Sequence, residues 1–208
     1  MTSATTPTTA TAAARQHRPH LATADPGKDC TVLNTNGINT ISLAELNSEA
    51  SLLTRMDRKY LVPPGDTQHV ISHLAPRAQV LQIDGLRHFR YASTYFDTPG
   101  LDAYFLAARK RRRRYKIRTR TYLDSGLCFL EVKTEGARAM TVKERIPYSI
   151  DDRDKLTEEG RQYVNEALYG ILDTPAIEFE PVISTGYRRT TIYLPASEQN
   201  PVDSRLTI

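Results

Sequence analysis

Residues 111–134, RRRRYKIRTRTYLDSGLCFLEVKT, contain the strongest pattern in the chain. Every even position from 112 to 120 is cationic, whereas the odd positions from 115 onward hold Tyr115, Ile117 and Thr119. Successive side chains of a β-strand point to opposite faces of the sheet, so this alternation predicts a strand with one charged face. The segment Asp-Ser-Gly at 124–126 predicts a tight turn into a second strand. An antiparallel β-hairpin with a basic face is therefore the starting point of the predicted fold.

Other strand-like segments alternate in the same way. The predicted polar face collects Arg55, Asp57 and Lys59 of segment 54–62, Glu131 and Lys133 of 127–134, Lys143 and Arg145 of 140–148, and Tyr187, Arg189, Thr191 and Tyr193 of 187–194. A single sheet with its charged face toward water would explain any one of these strands. A closed antiparallel barrel with a polar lumen explains all of them together, because interior and exterior residues alternate along every strand.

The remaining patterns complete an α+β prediction: an antiparallel β-barrel with a few short flanking helices. Further strands are predicted at 79–84, 87–96, 178–185 and 204–208. Helices are predicted at 65–75, 101–108 and 158–172, after a short leading helix within SLAELNSEASLL (42–53). Ser42 and Glu45 form a capping-box pattern for the first helix. Asp97 is interpreted as a turn residue that caps the helix after it. Residues 1–40 are rich in Thr and Ala, so we expect them to be disordered and the folded domain to span 41–208.

Composition narrows the class of protein. No stretch approaches the roughly 20 apolar residues of a membrane span, and the N-terminus lacks the apolar core of a secretory signal, so a cytoplasmic location is expected. Cys30 and Cys128 have no metal-ligand or redox spacing. Nine of the 28 Lys and Arg residues lie between Arg109 and Arg120, while all 24 acidic residues lie elsewhere. This concentrated basic strip predicts a polyanionic partner.

The residue types on the polar face indicate phosphate chemistry. Arg offers planar paired donors that match phosphate oxygens, and Lys offers point charges. Asp57 and Glu131 are suited to a divalent ion that bridges phosphate oxygens, although Glu131 could instead pair with Lys133 or a neighbouring arginine. A solvated charge run or a nucleic-acid patch remains the alternative for Arg109–Arg113. Tyr91 and Tyr95 are interpreted as core residues.

Several segments together resemble the VTC domain, the polyphosphate polymerase domain of the triphosphate tunnel metalloenzyme (CYTH-like) superfamily. They are LLTRMDRKYLVP (52–63), RYASTYFDTPGLDAY (90–104), RRRRYKIRTRTYLDSGLCFLEVKT (111–134), TVKERIPY (141–148), YRRTTI (187–192) and SRLTI (204–208). The order STYFDT, KxRxR, FLEVKT and VKER is far more specific than any one of these short pieces.

The resemblance implies an eight-stranded antiparallel tunnel that binds ATP and Mn²⁺ or Mg²⁺ and transfers the γ-phosphoryl group to polyphosphate. It implies no specific nucleic-acid partner, and it leaves the oligomeric state open. The catalytic residues implied are Lys59, Arg118, Arg120, Lys133, Lys143 and Arg189. The additional phosphate-binding residues implied are Lys116, Arg145 and Arg205. The candidate metal ligands are Glu131 and Asp57.

The sequence departs from the family pattern in two places. The superfamily's first-strand ExExK reads Arg55-x-Asp57-x-Lys59, and the family's last strands, with its main metal-binding glutamate, would follow Ile208. We therefore expect a tunnel that is incomplete at the C-terminus. A truncated, non-catalytic polyanion-binding module and a tunnel triphosphatase are the alternatives to a polymerase.

Overall fold

The computed structural model describes residues 32–49, 58–135, 141–172, 178–198 and 201–208, and within them it contains nine strands and four α-helices. The α+β class predicted from the sequence is confirmed. The strands are β1 (Asn39–Ile41), β2 (Gln79–Leu81), β3 (Phe89–Asp97), β4 (Tyr115–Tyr122), β5 (Leu127–Glu135), β6 (Thr141–Pro147), β7 (Glu180–Arg189), β8 (Thr191–Leu194) and β9 (Ser204–Thr207). The helices are α1 (Leu43–Glu49), α2 (Pro64–Leu74), α3 (Asp102–Ala108) and α4 (Glu158–Ala167).

The larger sheet has five antiparallel strands in the order β6-β5-β4-β3-β7. Its central hairpin, β4 and β5, is the one predicted from residues 111–134. The turn between these strands contains Gly126 at φ 68°, a conformation that glycine adopts without steric cost. The predicted meander is therefore present, and it places β4 next to both β3 and β5.

One face of this sheet packs against helices. Tyr115 and Ile117 of β4 and Leu130 of β5 are almost fully buried, and they share a hydrophobic core with Val164 of α4 and Ala103 of α3. These strand residues have the parity that the sequence assigned to the apolar face. The even residues of β4 consequently lie on the opposite face of the sheet.

The smaller sheet has four strands in the order β1-β2-β8-β9, with β1 and β2 parallel and the other pairs antiparallel. Val80 of β2 and Ile192 of β8 form its core with Ile71 of α2. Only Thr190 separates β7 from β8, and its backbone exchanges two hydrogen bonds with Ile208, at 2.8 and 3.0 Å. One continuous stretch of chain thus passes from the larger sheet into the smaller one.

The predicted closed barrel is only partly confirmed, because the described strands form two open sheets. The step from β7 to β8 removes the chain from the larger sheet after Arg189, and β1 and β2 are each only three residues long. No described strand joins β6 to the smaller sheet. Alternation along a single strand predicts which face of the sheet each side chain occupies. Closure of a barrel depends in addition on pairing between edge strands that are far apart in the sequence.

The predicted strand at 54–62 is wrong for its described part. Residues 58–63 have no regular secondary structure, and the side chains of Tyr60 and Leu61 are 74% and 105% exposed. Pro63 is extended at φ −58° and ψ 148°, and α2 begins directly after it. A strand at this position would need an apolar surface to cover these side chains, and their exposure shows that they are not covered. Residues 54–57, including Arg55 and Asp57, lie outside the described part of the chain.

Other boundaries differ by a few residues for local reasons. The β4 strand begins at Tyr115 and not at residue 111, after a turn in which Lys110 has φ 51°. The strand predicted at 79–84 ends at Leu81, before a tight turn in which Asp84 and Gly85 have positive φ. The α4 helix ends at Ala167 because the chain turns at Gly170, whose φ is 77°.

The packed chain begins earlier than residue 41. Leu33 and Ile38 are buried in the core of the smaller sheet, and β1 starts at Asn39. The capping box that opens α1 is present, since Ser42 and Glu45 exchange side chain to backbone hydrogen bonds of 2.9 and 3.2 Å. None of the helices in the described ranges is long and apolar enough to cross a membrane.

Candidate functional site

The face of the five-stranded sheet opposite its helix-packed core is called the basic face here. Strand register assigns its members, because residues paired directly across an antiparallel ladder lie on the same side of the sheet. They are Tyr91, Ser93 and Tyr95 of β3, Lys116, Arg118 and Arg120 of β4, Phe129, Glu131, Lys133 and Glu135 of β5, Lys143 and Arg145 of β6, and Ile183, Thr185, Tyr187 and Arg189 of β7. The structure thus brings together most of the cations that the sequence singled out.

Glu131 lies at the centre of the basic face and is 2% exposed. Arg118 Nε and Nη2 donate to its Oε2 at 2.9 and 2.7 Å, and Lys143 Nζ lies 2.9 Å from its Oε1. Burial by itself would raise the pKa of the Glu131 carboxyl, but the hydrogen bonds from Lys143 and Arg118 outweigh burial and lower this pKa below 4.5. Glu131 is therefore an ionised anchor that fixes the positions of two cations.

Arg118 is held by two residues, Glu131 and Tyr95. Besides Glu131, its Nη1 donates to the hydroxyl of Tyr95 at 3.1 Å, and its guanidinium carbon lies 5.8 Å from the centre of the same ring. Burial works to lower the pKa of Arg118, but its bonds to Glu131 and Tyr95 leave this pKa raised. Such a fixed guanidinium loses little conformational entropy when it binds a phosphate.

Arg120 and Ser93 face each other across the β3–β4 ladder, one pair along from Arg118 and Tyr95. The buried Nε of Arg120 and the buried Oγ of Ser93 have no hydrogen-bond partner within the described residues. Buried polar atoms are normally satisfied, and leaving one unsatisfied costs about 1–3 kcal/mol. This pair therefore offers donors that an anionic oxygen would satisfy.

Aromatic rings position the outer arginines. The guanidinium carbon of Arg189 lies 5.1 Å from the ring centre of Tyr91 and 5.6 Å from that of Tyr187, and these two rings stack at 5.2 Å. Arg145 lies 4.5 Å from the ring centre of Phe129. Cation–π contacts of this kind orient a guanidinium while leaving its N–H donors available.

The role of the β3 tyrosines was missed by the sequence analysis. Tyr91 is buried, as expected of a core residue, but its ring lies beneath Arg189, and the hydroxyl of Tyr95 binds Arg118. The signal was present in the sequence, since Tyr91, Ser93 and Tyr95 alternate with Ala92, Thr94 and Phe96. Parity within β3 would have placed these tyrosines on one face, although it could not say which face.

Several predicted site residues do not join the basic face. Arg205 lies on β9 of the smaller sheet, where its Nη2 donates to the backbone carbonyl of Leu46 at 3.4 Å. Thr191 and Tyr193 are buried in the smaller sheet, because the alternation of β7 is interrupted at Thr190. Lys59 is exposed within the irregular residues 58–63, outside both sheets.

The predicted metal site finds little support in the donor set. Oε2 of Glu131 accepts from Arg118 and Oε1 forms an ion pair with Lys143, and the described residues contain no group of three His, Cys, Asp or Glu side chains that could hold an ion. Asp57 lies outside the described ranges. The described residues therefore do not by themselves form a site for Mn²⁺ or Mg²⁺, and the metal stays a prediction.

The cationic loop between α3 and β4 lies beside the basic face. Arg111, Arg112 and Arg113 are exposed, whereas Arg114 pairs with Glu135 at the end of β5. Arg109 packs over the ring of Phe105 with its guanidinium carbon 5.3 Å from the ring centre. The loop thus continues the positive charge of β4 outward into solvent, where screening weakens it.

Asp97 anchors α3 next to the site, as the sequence predicted. This residue is 3% exposed, and its carboxylate accepts hydrogen bonds from the backbone N–H groups of Thr98, Ala103 and Tyr104 at 2.8–2.9 Å. The carboxylate therefore satisfies amide groups in the first turn of α3 that have no partner within the helix. Asp97 thus helps to position α3, which carries Tyr104, together with Thr98, whose Oγ1 accepts from the N–H of Asp102.

Replacing Asp97 by alanine is expected to lower the free energy of unfolding by about 2 kcal/mol, the upper end for loss of a helix-capping residue. The reason is that three N–H groups, two buried and one half-buried, lose their acceptor together. Chemical denaturation of the two proteins measures the effect. Asp66→Ala, in the first turn of α2, is the matched control, because α2 has no side-chain cap hydrogen bond. A loss no larger than that of this control would contradict the capping role.

Comparison with known proteins gives a family and a distant structural similarity. The family model described as the VTC domain matches residues 54–208. No curated protein matches the chain significantly in sequence. Among solved structures, a Bacillus halodurans protein described as a candidate adenylate cyclase is similar with a TM-score of 0.44 and 13% identity, over 72% of this chain and 76% of that one.

Proposed function

The chain belongs to the VTC domain family, and we propose that its basic face binds the triphosphate of ATP and transfers the terminal phosphoryl group to a polyphosphate chain. The observation that carries this proposal is the concentration of cations on one side of the larger sheet. Lys116, Arg118, Arg120, Lys133, Lys143, Arg145 and Arg189 share this face with Glu131 and Glu135 as its carboxylates. An anionic ligand would relieve the mutual repulsion of these cations.

The shape of the cationic surface favours a linear polyanion. Lys116, Arg118 and Arg120 follow one strand over about 13 Å at 3.3 Å per residue, and the cations of β5, β6 and β7 flank this line. A single phosphate would contact only a few of these groups. A triphosphate or a longer phosphate chain would contact successive cations along β4.

Phosphoryl transfer on this face would depend on positioning and charge. A terminal oxygen of the polyphosphate chain attacks the γ-phosphorus of ATP in line, the bond to the bridging oxygen breaks, and ADP leaves. In this proposal Arg118, fixed by Glu131 and Tyr95, and Arg120, with its buried unsatisfied Nε, hold the transferring group. Lys143 and Arg189 stabilise the negative charge on either side. No covalent intermediate on the protein is required.

Incubation with radiolabelled ATP and either Mn²⁺ or Mg²⁺, followed by gel separation of the products, tests the proposal. Growth of a labelled polyphosphate ladder is the expected result. Release of labelled phosphate without chain growth would favour a triphosphatase. Salt-dependent binding of tripolyphosphate without either product would favour a polyanion-binding module, and absence of binding would overturn the assignment of the basic face.

A further inference from the structure

An apolar pocket of about 330 Å³ lies beside α3 at one end of the five-stranded sheet. Its lining includes Leu101, Tyr104 and Ala107 from the α3 segment, and Val182 and Ile183 from β7. Pockets for small organic ligands usually begin at about 300 Å³ and are lined mainly by apolar and aromatic side chains. The pocket is therefore large enough for a flat organic group, and apart from Lys116 its lining offers little to a phosphate.

The pocket lies at the end of the sheet and reaches both of its faces, since Phe96, Ile117 and Ala103 of the helix-packed core line it together with residues of the basic face. Tyr95, Lys116 and Ile183 line the pocket, and the register of β3, β4 and β7 also places all three on that face. Tyr95 is the residue whose hydroxyl binds Arg118. A ligand with an anionic part on β4 and an uncharged part beside α3 could therefore occupy both surfaces at once.

The exposed side chains at the pocket suit an aromatic ring. Tyr104 is 62% exposed and Ile183 is 53% exposed, so large apolar surfaces remain in contact with water in the unliganded chain. Tyrosine presents a broad face on which a nucleobase stacks independently of sequence-specific hydrogen bonds. Burying these two side chains against a base removes apolar surface from water on both partners.

We propose that this pocket binds the base of the nucleoside triphosphate, so that the nucleotide lies with its base against Tyr104 and its α-phosphate nearest Lys116. This inference rests on the proposed function. The phosphates then extend along β4 toward Arg118 and Arg120, and the terminal phosphate lies farthest from α3. The pocket distinguishes a nucleotide from an inorganic polyphosphate of the same charge.

The affinities for ATP and for inorganic tripolyphosphate are compared, so that the inference is tested separately from the proposed function. Both ligands are expected to bind the basic face, but only ATP carries a base. Tyr104→Ala is expected to weaken ATP binding about tenfold, the lower part of the range for loss of a base-stacking aromatic residue. Its effect on tripolyphosphate is expected to stay within twofold. Tyr169→Ala is the matched control, since Tyr169 is a tyrosine that is 91% exposed and does not line the pocket, whereas Phe105 packs against the ring of Tyr104.

The absence of Trp from the chain provides a direct readout. Tyr104→Trp places the only tryptophan at the pocket, and its fluorescence is expected to change on addition of ATP and not of tripolyphosphate. Tyr169→Trp, whose position lies outside the pocket lining, is expected to respond to neither ligand. The inference would be overturned if Tyr104→Ala lost affinity for ATP and for tripolyphosphate equally, or if its affinity for ATP were unchanged. In either case, binding of tripolyphosphate by the native chain would still support the basic face as a phosphate-binding surface. Failure of the native chain to bind either ligand would overturn both proposals.

Discussion

Replacing Arg118 and Arg120 together by alanine is expected to weaken tripolyphosphate binding by about 100-fold. A hydrogen bond to a charged group contributes about 1.5–3 kcal/mol, so loss of two such contacts costs at least about 3 kcal/mol, at 1.4 kcal/mol per tenfold change. Both guanidiniums are half-buried on the basic face, where solvent screens their charge less than at an open surface. Isothermal titration calorimetry with tripolyphosphate measures the change.

The double variant Arg111→Ala with Arg113→Ala is the matched control, because it removes the same charge from the exposed loop before β4. We expect this variant to lose only a few-fold in affinity, and to lose less as salt is added, since exposed charges act through a screened potential. Similar losses from the two double variants would show that affinity depends on total charge and not on the geometry of the basic face.

Replacing Glu131 by glutamine is expected to lower the free energy of unfolding by about 2–3 kcal/mol at neutral pH. Breaking a fully buried ion pair from one side costs about 3–5 kcal/mol, and we reduce this figure because Arg118 and Lys143 are 23% and 42% exposed. The carbonyl oxygen of glutamine can still accept from one cation, but its NH₂ group then faces the other. Glu158→Gln is the control, because Glu158 is 89% exposed and its pair with Arg161 should contribute less than about 1 kcal/mol.

The effect of Glu131→Gln is also expected to depend on pH. The pKa of Glu131 is lower in the folded chain than its ordinary value of 4.5, so the unfolded chain takes up the proton first as the pH falls. The stability that the carboxylate contributes is therefore fully present above pH 4.5 and is lost as the pH falls through the lowered folded-state pKa. Denaturation of native chain and variant from pH 7 downward should show the difference shrinking. A constant difference would exclude Glu131 as an ionised anchor.

Local features of the fold were predictable from the sequence to within a few residues. Both the capping box at Ser42 and the cap of α3 by Asp97 depend on hydrogen bonds between residues at most seven positions apart. The predicted strand at 54–62 is wrong for its described part, 58–62, because apolar side chains there, such as that of Leu61, are not covered by other residues. Local patterns report what a segment can form, whereas burial by distant segments decides whether it forms.

Alternation along each strand was enough to predict which side chains share a face. Arg118 and Arg120 oppose Ile117 because successive side chains of a strand alternate, and this rule needs no knowledge of the rest of the chain. The three-dimensional fold was needed to learn which strands pair and in what register. It pairs Glu131 with Arg118 and Lys143, places Tyr95 beside Arg118, and moves Arg205 to another sheet. These outcomes depend on sheet order and on the break at Thr190, both set by burial of residues far apart in sequence.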